Sequence, residues 1–289
     1  MRLPPRGFAF LTVTALCWGC NWPVMKALMQ DWPPYGFRIL AGAMAISLLF
    51  LIAWWQGDAL WPRPGQWRRL ALFGLLNISS WSIVAPLSLF WLNASEAAII
   101  AYTMPVWATL FAWPVLGERP TLPRLGALLL GFAGVGLLLG GQLDGGLAQK
   151  WPGVLAILTT ALMFAAGTVA TKRWPLQMPQ VPQIAWQLVL GLLPVVPISL
   201  LFERIAFDRI TWLGWGCLIY VALFAQVLAY LAWFRALRLL PAGTAAIGSL
   251  LVPVIGVLAS ALLLGEPVGA RQMAALALTL SGVVLAARR

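Results

Sequence analysis

The sequence predicts an all-α polytopic membrane protein with ten transmembrane helices, arranged as two inverted repeats of five helices. Three observations predict this fold class. The composition is 62% hydrophobic and only 9% charged; apolar runs long enough to cross a bilayer, about 20 residues each, alternate with short polar connectors; and one long segment recurs 148 residues later. We therefore expect spanning helices throughout the chain and no separate soluble domain.

The apolar runs define ten predicted spans: 8–28, 34–55, 69–91, 95–116, 122–140, 152–172, 183–202, 212–236, 242–264 and 269–287. The first run follows a basic segment, MRLPPRGFAF, as the core of a secretory signal peptide would. It is longer than such a core and lacks a clean cleavage site, so we expect an uncleaved first span. The three cysteines all lie in spans and predict no disulfide framework.

The second half of the chain repeats the first. Residues 97–137 align without gaps with residues 245–285, and 15 of the 41 aligned positions are identical. The matches include the kink and turn pairs Pro105/Pro253, Gly117/Gly265 and Glu118/Glu266. Two five-helix units, 1–145 and 146–289, follow from this alignment. Because five is odd, the second unit enters the membrane from the opposite side, which is typical of secondary transporters.

Charge distribution predicts the orientation of the chain. The net charge is +11, and the connectors on the side of the N-terminus carry most of the Lys and Arg residues. This positive-inside bias places both termini in the cytoplasm. We interpret the basic excess as an orientation signal, and we expect no nucleic-acid partner.

The sequence lacks most of the residues and motifs that enzymatic chemistry would need. There is no histidine, which removes histidine-based acid–base catalysis and most zinc sites. No glycine-rich phosphate loop is present. The Cys17-Trp18-Gly19-Cys20 segment has thioredoxin-like spacing, but it lies in the middle of an apolar span, away from any partner disulfide. We expect neither an enzyme nor a bound cofactor or metal.

Polar and aromatic residues near the bilayer midplane are the candidates for substrate binding: Trp18, Asn21, Trp22, Asn77, Ser79, Trp81, Ser82, Tyr102, Thr103, Met163, Gln226 and Tyr230. Further residues at similar depth are Ser80, Phe164, Thr168, Trp186 and Ser249. A polar group that faces hydrocarbon loses water hydrogen bonds at a cost of about 1–3 kcal/mol, so we expect these groups to face the bundle interior. Such a lining would suit a small amphipathic solute. The alternative for any one residue is that it only bridges two helices.

Other residues are assigned by their positions in the spans. Pro105 and Pro253 are expected to be symmetry-related kinks. Arg38, about one turn inside the second span, could attract a substrate carboxylate or hold the outer gate; alternatively, it extends to the interface or pairs with Asp31. We expect interfacial roles for Lys26, Lys172 and the tryptophans at span ends, Trp32, Trp54, Trp55, Trp61, Trp67, Trp91, Trp151, Trp174 and Trp212. Glu118 and Glu266 are expected in capped turns.

No Asp or Glu occupies the middle of a predicted span. A carboxylate proton relay of the usual kind therefore has no obvious carrier. Facilitated diffusion, or exchange driven by the solute gradient, fits the sequence at least as well as proton antiport.

The WGCNWPVMK segment of the first span, the PPYGFRILAG segment of the second and the GER and GEP turns, together with ten spans in two repeats, resemble the drug/metabolite transporter superfamily, EamA type. The Trp-rich spans are similar to those of the YddG-type aromatic amino acid exporters. The resemblance implies a bacterial inner-membrane exporter of amino acids and related metabolites.

Three alternatives stay open at this point: an exporter of other metabolites, amines or cationic drugs driven by proton antiport, a passive channel, and a membrane scaffold without transport. Short loops and paired halves are compatible with a functional monomer whose partners are a small-molecule substrate and the lipid bilayer.

Overall fold

The structure, a computed structural model, describes residues 5–117, 146–239 and 251–287, together with isolated positions between 122 and 137. In these ranges the regular structure is helical throughout. The helices are α1 (Pro5–Asp31), α2 (Gly36–Trp55), α3 (Trp67–Ser88), α4 (Ala94–Ala101), α5 (Met104–Leu116), α6 (Gly146–Arg173), α7 (Gln180–Leu192), α8 (Val195–Phe202), α9 (Trp212–Tyr220, Val221–Leu228 and Ala229–Leu239), α10 (Leu251–Leu264) and α11 (Ala270–Ala287). Most of the predicted fifth span lies outside the described residues, as do Glu118 and Ser249.

The predicted spans coincide with these helices. In the described part of the chain, seven helical segments are long and apolar enough to cross a membrane, and α10 is a shorter apolar helix. The fourth and seventh spans each consist of two consecutive helices, α4 with α5 and α7 with α8. The prediction of an all-α polytopic membrane protein is confirmed.

The fourth span is broken into two helices, whereas the sequence predicted one continuous helix. α4 ends at Ala101, and α5 begins at Met104 after a turn at Tyr102 and Thr103. Pro105 therefore lies in the first turn of α5, where its missing amide hydrogen would have no helical acceptor in any case. It begins a helix after a break. Pro253, its repeat partner, is buried in the first described turn of α10.

Two repeat-related helices change their winding at equivalent places. α3 is a π-helix from Gly74 to Val84, and α9 is a π-helix from Val221 to Leu228. The two segments start 147 residues apart, close to the repeat offset of 148. A π-helical turn widens the helix and turns side chains away from the α-helical register, and such turns occur frequently at functional sites.

Contacts between helix ends show that repeat-related helices run in opposite directions. Near the end of α1, the Nζ atom of Lys26 donates to the carbonyl of Leu92, just after α3. Near the start of α6, the Nζ atom of Lys150 donates to Glu96 in the first turn of α4. The end of α1 and the start of α6 therefore lie at the same end of the bundle.

Glycines allow the closest helix contacts. A Cβ atom added at Gly191 of α7 would lie 2.6 Å from the Gly74 carbonyl oxygen of α3, and one at Gly19 of α1 would lie 2.5 Å from an Ile255 methyl carbon of α10. Gly117 and Gly265 end α5 and α10 with φ of 74° and 66°. This left-handed conformation favours glycine at a helix C-terminus, so the two equivalent turns form as the repeat predicts.

Candidate functional site

One end of the bundle is held together by acidic side chains. We call it the carboxylate end and define it by Asp31, Glu96, Glu203 and Glu266. Glu266, which follows α10, accepts hydrogen bonds from the Ala94 amide (2.8 Å), the Ser95 amide (3.1 Å) and the Ser95 hydroxyl (2.8 Å). A carboxylate at a helix N-terminus satisfies free amide groups and complements the helix dipole. Glu266 thus joins the second repeat to the first.

Glu203 does the same for another helix. It accepts from the Tyr35 and Gly36 amides at the start of α2, at 2.9 and 2.7 Å, and from the Ser199 hydroxyl at 2.9 Å. Asp31, at the end of α1, accepts from the Thr211 amide and hydroxyl. Each of these two carboxylates belongs to one repeat and accepts hydrogen bonds at the start of a helix of the other repeat.

Two lysines complete the carboxylate end. Lys26 Nζ lies 2.8 Å from the Leu92 carbonyl oxygen and 3.8 Å from a Glu266 oxygen. Lys150 Nζ lies 2.7 Å from Glu96 Oε1, and Glu96 Oε2 accepts from the Asn93 amide. Lys26 is therefore bonded to other parts of the protein at this end of α1. These bonds close this end by linking α1, α3, α4, α6 and the turn after α10.

The middle of the bundle contains a different group, which we call the central cluster and define as Trp18, Asn21, Trp22, Asn77, Trp81, Gln226 and Tyr230. α1 supplies its core: Trp18 packs edge-on against Tyr230 of α9 (5.4 Å between ring centroids), and Trp22 packs edge-on against Trp81 of α3 (5.8 Å). Trp18 Nε1 also donates to the Ala225 carbonyl, next to Gln226. The π-helical segments of α3 and α9 present Asn77, Trp81 and Gln226.

The amide side chains of this cluster are poorly satisfied. Asn21 Oδ1, Asn77 Oδ1 and Gln226 Oε1 are buried and have no hydrogen-bond partner among the described residues. The contact from Asn77 Nδ2 to Gln187 Oε1 is long, at 3.5 Å. A buried acceptor without a donor costs about 1–3 kcal/mol. Each of the three oxygens therefore lacks a donor among the described residues that a bound solute or water would supply.

Several predicted residues do not join this cluster. Ser79 donates to the Gly191 carbonyl at 2.6 Å and therefore bridges α3 and α7. Thr103 donates to the Ile100 carbonyl and accepts from Trp107, so its hydroxyl stabilises the break before α5. Thr168 is exposed and bonds within its own helix. For these side chains the helix-bridging or local alternative describes the geometry.

Four further predicted residues lie on α3 and α6: Ser80, Ser82, Met163 and Phe164. Ser80 donates to Leu76 in its own helix, and Ser82 is buried without a hydrogen bond to another described residue. Met163 is half-buried on α6, beside Phe164, which extends the cluster by packing edge-on against Trp81 at 6.1 Å. Phe164 therefore lies on the α6 side of the cluster.

Arg38, in the first turn of α2, is enclosed by the protein with only 7% of its surface exposed. Its guanidinium contacts the thioether sulphur of Met25 and lies 5.0 Å from the Phe37 ring centroid, whereas its Nε has no partner among the described residues. The alternative pair of Arg38 with Asp31 is absent from the described structure, where Asp31 accepts from Thr211.

The tryptophans divide as expected, with two exceptions. Trp54, Trp55, Trp61 and Trp212 are 69–92% exposed, as interfacial residues should be. Trp32 is only 1% exposed and packs edge-on against Trp215 at 5.0 Å. Its assignment to the interface is wrong, because it fills the space between α1 and α9. Trp186 packs with Trp61 and Trp67 and donates to the Leu60 carbonyl, outside the central cluster.

The sequence did not predict two of the contacts in the structure. Met25 is the side chain that contacts Arg38, and Gln187 is the nearest polar neighbour of Asn77. The repeat contained a signal for the second, since Gln187 is the counterpart of Arg38 at an offset of 149. In an inverted repeat, the counterpart of a buried residue is expected to face the same interior from the other half of the protein.

Comparisons with known proteins identify the family. The EamA-like transporter family matches residues 5–140 and again residues 151–288. The chain belongs to the EamA-like transporter family. Its relatives include an uncharacterized transporter, YvbV, of Bacillus subtilis, 29% identical over 95% of this chain and 89% of that protein. A probable amino-acid metabolite efflux pump of Salmonella typhimurium is 27% identical over 96% of this chain and 93% of that protein.

A solved crystal structure has the same fold. It superposes with a TM-score of 0.71 over 97% of this chain and 96% of that chain, at 19% identity. The family and these relatives identify a membrane transporter, in agreement with the resemblance to the EamA type seen in the sequence.

Proposed function

We propose that this protein exports small amphipathic metabolites, most favourably aromatic and other neutral amino acids, by alternating access without an obligatory ion. The observation that carries the proposal is the central cluster, in which indole and phenol rings lie beside three amide oxygens that lack donors. Aromatic faces suit an apolar side chain, and amide oxygens suit the ammonium group of an amino acid. The Salmonella relative's description as a probable amino-acid metabolite efflux pump supports the same class.

The closed carboxylate end supports the alternating-access part of the proposal. Bonds among Lys26, Leu92 and Glu266, and between Lys150 and Glu96, join both repeats on one side of the central cluster. Inverted repeats can exchange packings, and this moves the opening from one side to the other around a fixed site. The units 1–145 and 146–289 are the bodies that we expect to exchange.

The orientation belongs to the same proposal. We infer from the positive-inside bias that both termini face the cytoplasm and that the carboxylate end faces the outer side of a bacterial inner membrane. Single cysteines introduced near the C-terminus and at the exposed Asp208, in a variant without the three native cysteines, test this directly. A membrane-impermeant maleimide should label the Asp208 position in intact spheroplasts and the C-terminal position only after lysis. Labelling in the reverse order would contradict the orientation.

The transport test is counterflow in proteoliposomes. Vesicles loaded with unlabelled L-tryptophan or L-phenylalanine should accumulate external labelled substrate transiently, with saturable initial rates. Empty vesicles and vesicles with protein but no internal substrate are the controls. Flux that does not saturate would indicate a channel. Flux of cationic dyes but of no amino acid would show that the substrate class is wrong.

A further inference from the structure

We infer that Arg38 is an anion site inside the bundle that binds the carboxylate of the transported solute. The inference rests on the proposed function for the route by which the anion reaches the site. It goes further by requiring a carboxylate on the substrate, which excludes amines and cationic drugs as preferred solutes. A buried arginine that has no anionic partner among the described residues, and whose Nε has no hydrogen-bond partner there, is the observation that carries it.

The charge of Arg38 has no counter-ion within the described structure. The two ion pairs found there join Lys26 to Glu266 and Lys150 to Glu96. Asp31 and Glu203 bind other groups, since Asp31 accepts from Thr211 and Glu203 accepts from the amides at the start of α2. Arginine stays protonated in proteins, so burial does not neutralise it. An enclosed cation of this kind is costly, and in a membrane span it indicates a functional site.

The hydrogen-bonding capacity of Arg38 is also unused. A guanidinium has five N–H donors in a planar fork. The described structure gives it one weak acceptor, the Met25 sulphur, while Nε has none. The contacts to Met25 and Phe37 hold the guanidinium group in position. They leave its other N–H groups as donors for a ligand. A carboxylate matches this fork with two parallel bonds.

Helix α1 connects the anion site to the central cluster. Met25, which contacts Arg38, follows Asn21 and Trp22 by one helical turn, so the three side chains lie on the same face of α1. With a carboxylate at Arg38, the rest of an amino acid would lie towards the rings and amide oxygens of the cluster. This arrangement separates the two charges of a zwitterion along the interior.

The first experiment measures ligand binding without transport. Purified protein is titrated with phenylacetate and with its neutral isostere phenylacetamide, and thermal stability is followed. Wild-type protein should be stabilised by the acid at concentrations about tenfold or more below those needed for the amide, because only the acid forms charge-assisted bonds. Arg38→Gln should remove this preference. Arg63→Gln, which alters an exposed arginine bonded to Gln177 at the other end, is the matched control and should keep it.

The ligand-free stability of Arg38→Gln separates an anion site from a structural role. Removing an unpaired buried charge should leave the thermal midpoint unchanged or raise it. A marked fall, with the preference for the acid retained in Arg38→Lys and Arg38→Gln alike, would overturn the inference. Stabilisation of the wild type by inorganic phosphate or phosphatidylglycerol but not by phenylacetate would also overturn it, since the anion would then be a lipid headgroup or free phosphate.

The second experiment distinguishes this inference from the proposed function. Counterflow is measured for L-tryptophan and for tryptamine, which lacks only the carboxylate. Arg38→Gln should lower tryptophan counterflow about tenfold or more and leave any tryptamine flux unchanged. Equal loss of both would contradict the carboxylate assignment. If the wild type binds phenylacetate through Arg38 but moves neither solute, the anion site stands and the proposed function fails.

Discussion

The carboxylate end and the central cluster differ in the hydrogen bonding of their polar side chains. The carboxylates have donors, whereas the amide oxygens of the cluster have none among the described residues. At the carboxylate end, Glu203 and Glu266 each accept three hydrogen bonds, and Glu96 bonds to Lys150. In the centre, Asn21, Asn77 and Gln226 keep buried oxygens without donors. The Glu96 and Glu266 side chains are only 7% and 8% exposed, so exposure does not explain the difference. Under the proposed function, the hydrogen-bonded carboxylates hold the two repeats together, and the amide oxygens of the central cluster are kept for a solute.

Removing Glu266 should have the largest effect. Glu266→Ala removes three hydrogen bonds at the N-terminus of α4 and leaves Lys26 with a backbone carbonyl alone, so we expect a loss of about 3 kcal/mol in unfolding free energy. Unfolding in mixed detergent micelles measures it. Asp208→Ala, at an exposed carboxylate, is the matched control and should change stability by less than about 0.5 kcal/mol. A Glu266→Ala protein as stable as this control would show that the carboxylate end does not hold the repeats.

The central cluster should respond in the opposite sense. Gln226→Met and Asn77→Leu replace an unsatisfied amide by an apolar group of similar size. Because a buried oxygen without a donor costs about 1–3 kcal/mol, stability should stay the same or rise. Counterflow of L-tryptophan should fall about tenfold, the equivalent of one lost hydrogen bond to a charged group. A variant that loses stability while transporting normally would show that the amide is structural.

Ser79→Ala tests the same contrast inside one helix. Ser79 lies two residues from Asn77 in the π-helical part of α3, but its hydroxyl bonds to the Gly191 carbonyl of α7. We expect a loss of about 1 kcal/mol in stability and unchanged counterflow. Comparison with Asn77→Leu under the same conditions is the control. If Ser79→Ala reduced transport as much as Asn77→Leu, the boundary that we draw around the central cluster would be wrong.

The sequence predicted the larger features because they depend on hydrophobicity and repetition. Span limits follow from runs of apolar residues, and the equivalent turns at Gly117 and Gly265 follow from the repeat. It could not separate Asn77 from Ser79, since both are polar residues at similar depth. Their different partners depend on the π-helical winding of α3 and on its contact with α7. Trp32 shows the same limit, because burial against Trp215 depends on how two distant helices pack.

A pH gradient should have the smallest effect, namely none. The acidic residues of the chain lie at or beyond the ends of the predicted spans, and those at the carboxylate end already hold helix termini or lysines. A one-unit gradient carries about 1.4 kcal/mol per proton, enough for about a tenfold accumulation in a one-to-one antiporter. Proteoliposomes with an imposed gradient should therefore accumulate no more L-tryptophan than vesicles without one, with counterflow at equal pH as the control for activity. Accumulation that collapses on addition of a protonophore would mean that a carboxylate such as Glu96 exchanges its structural bond for a proton during the cycle. In that case the two regions would act as one mechanism.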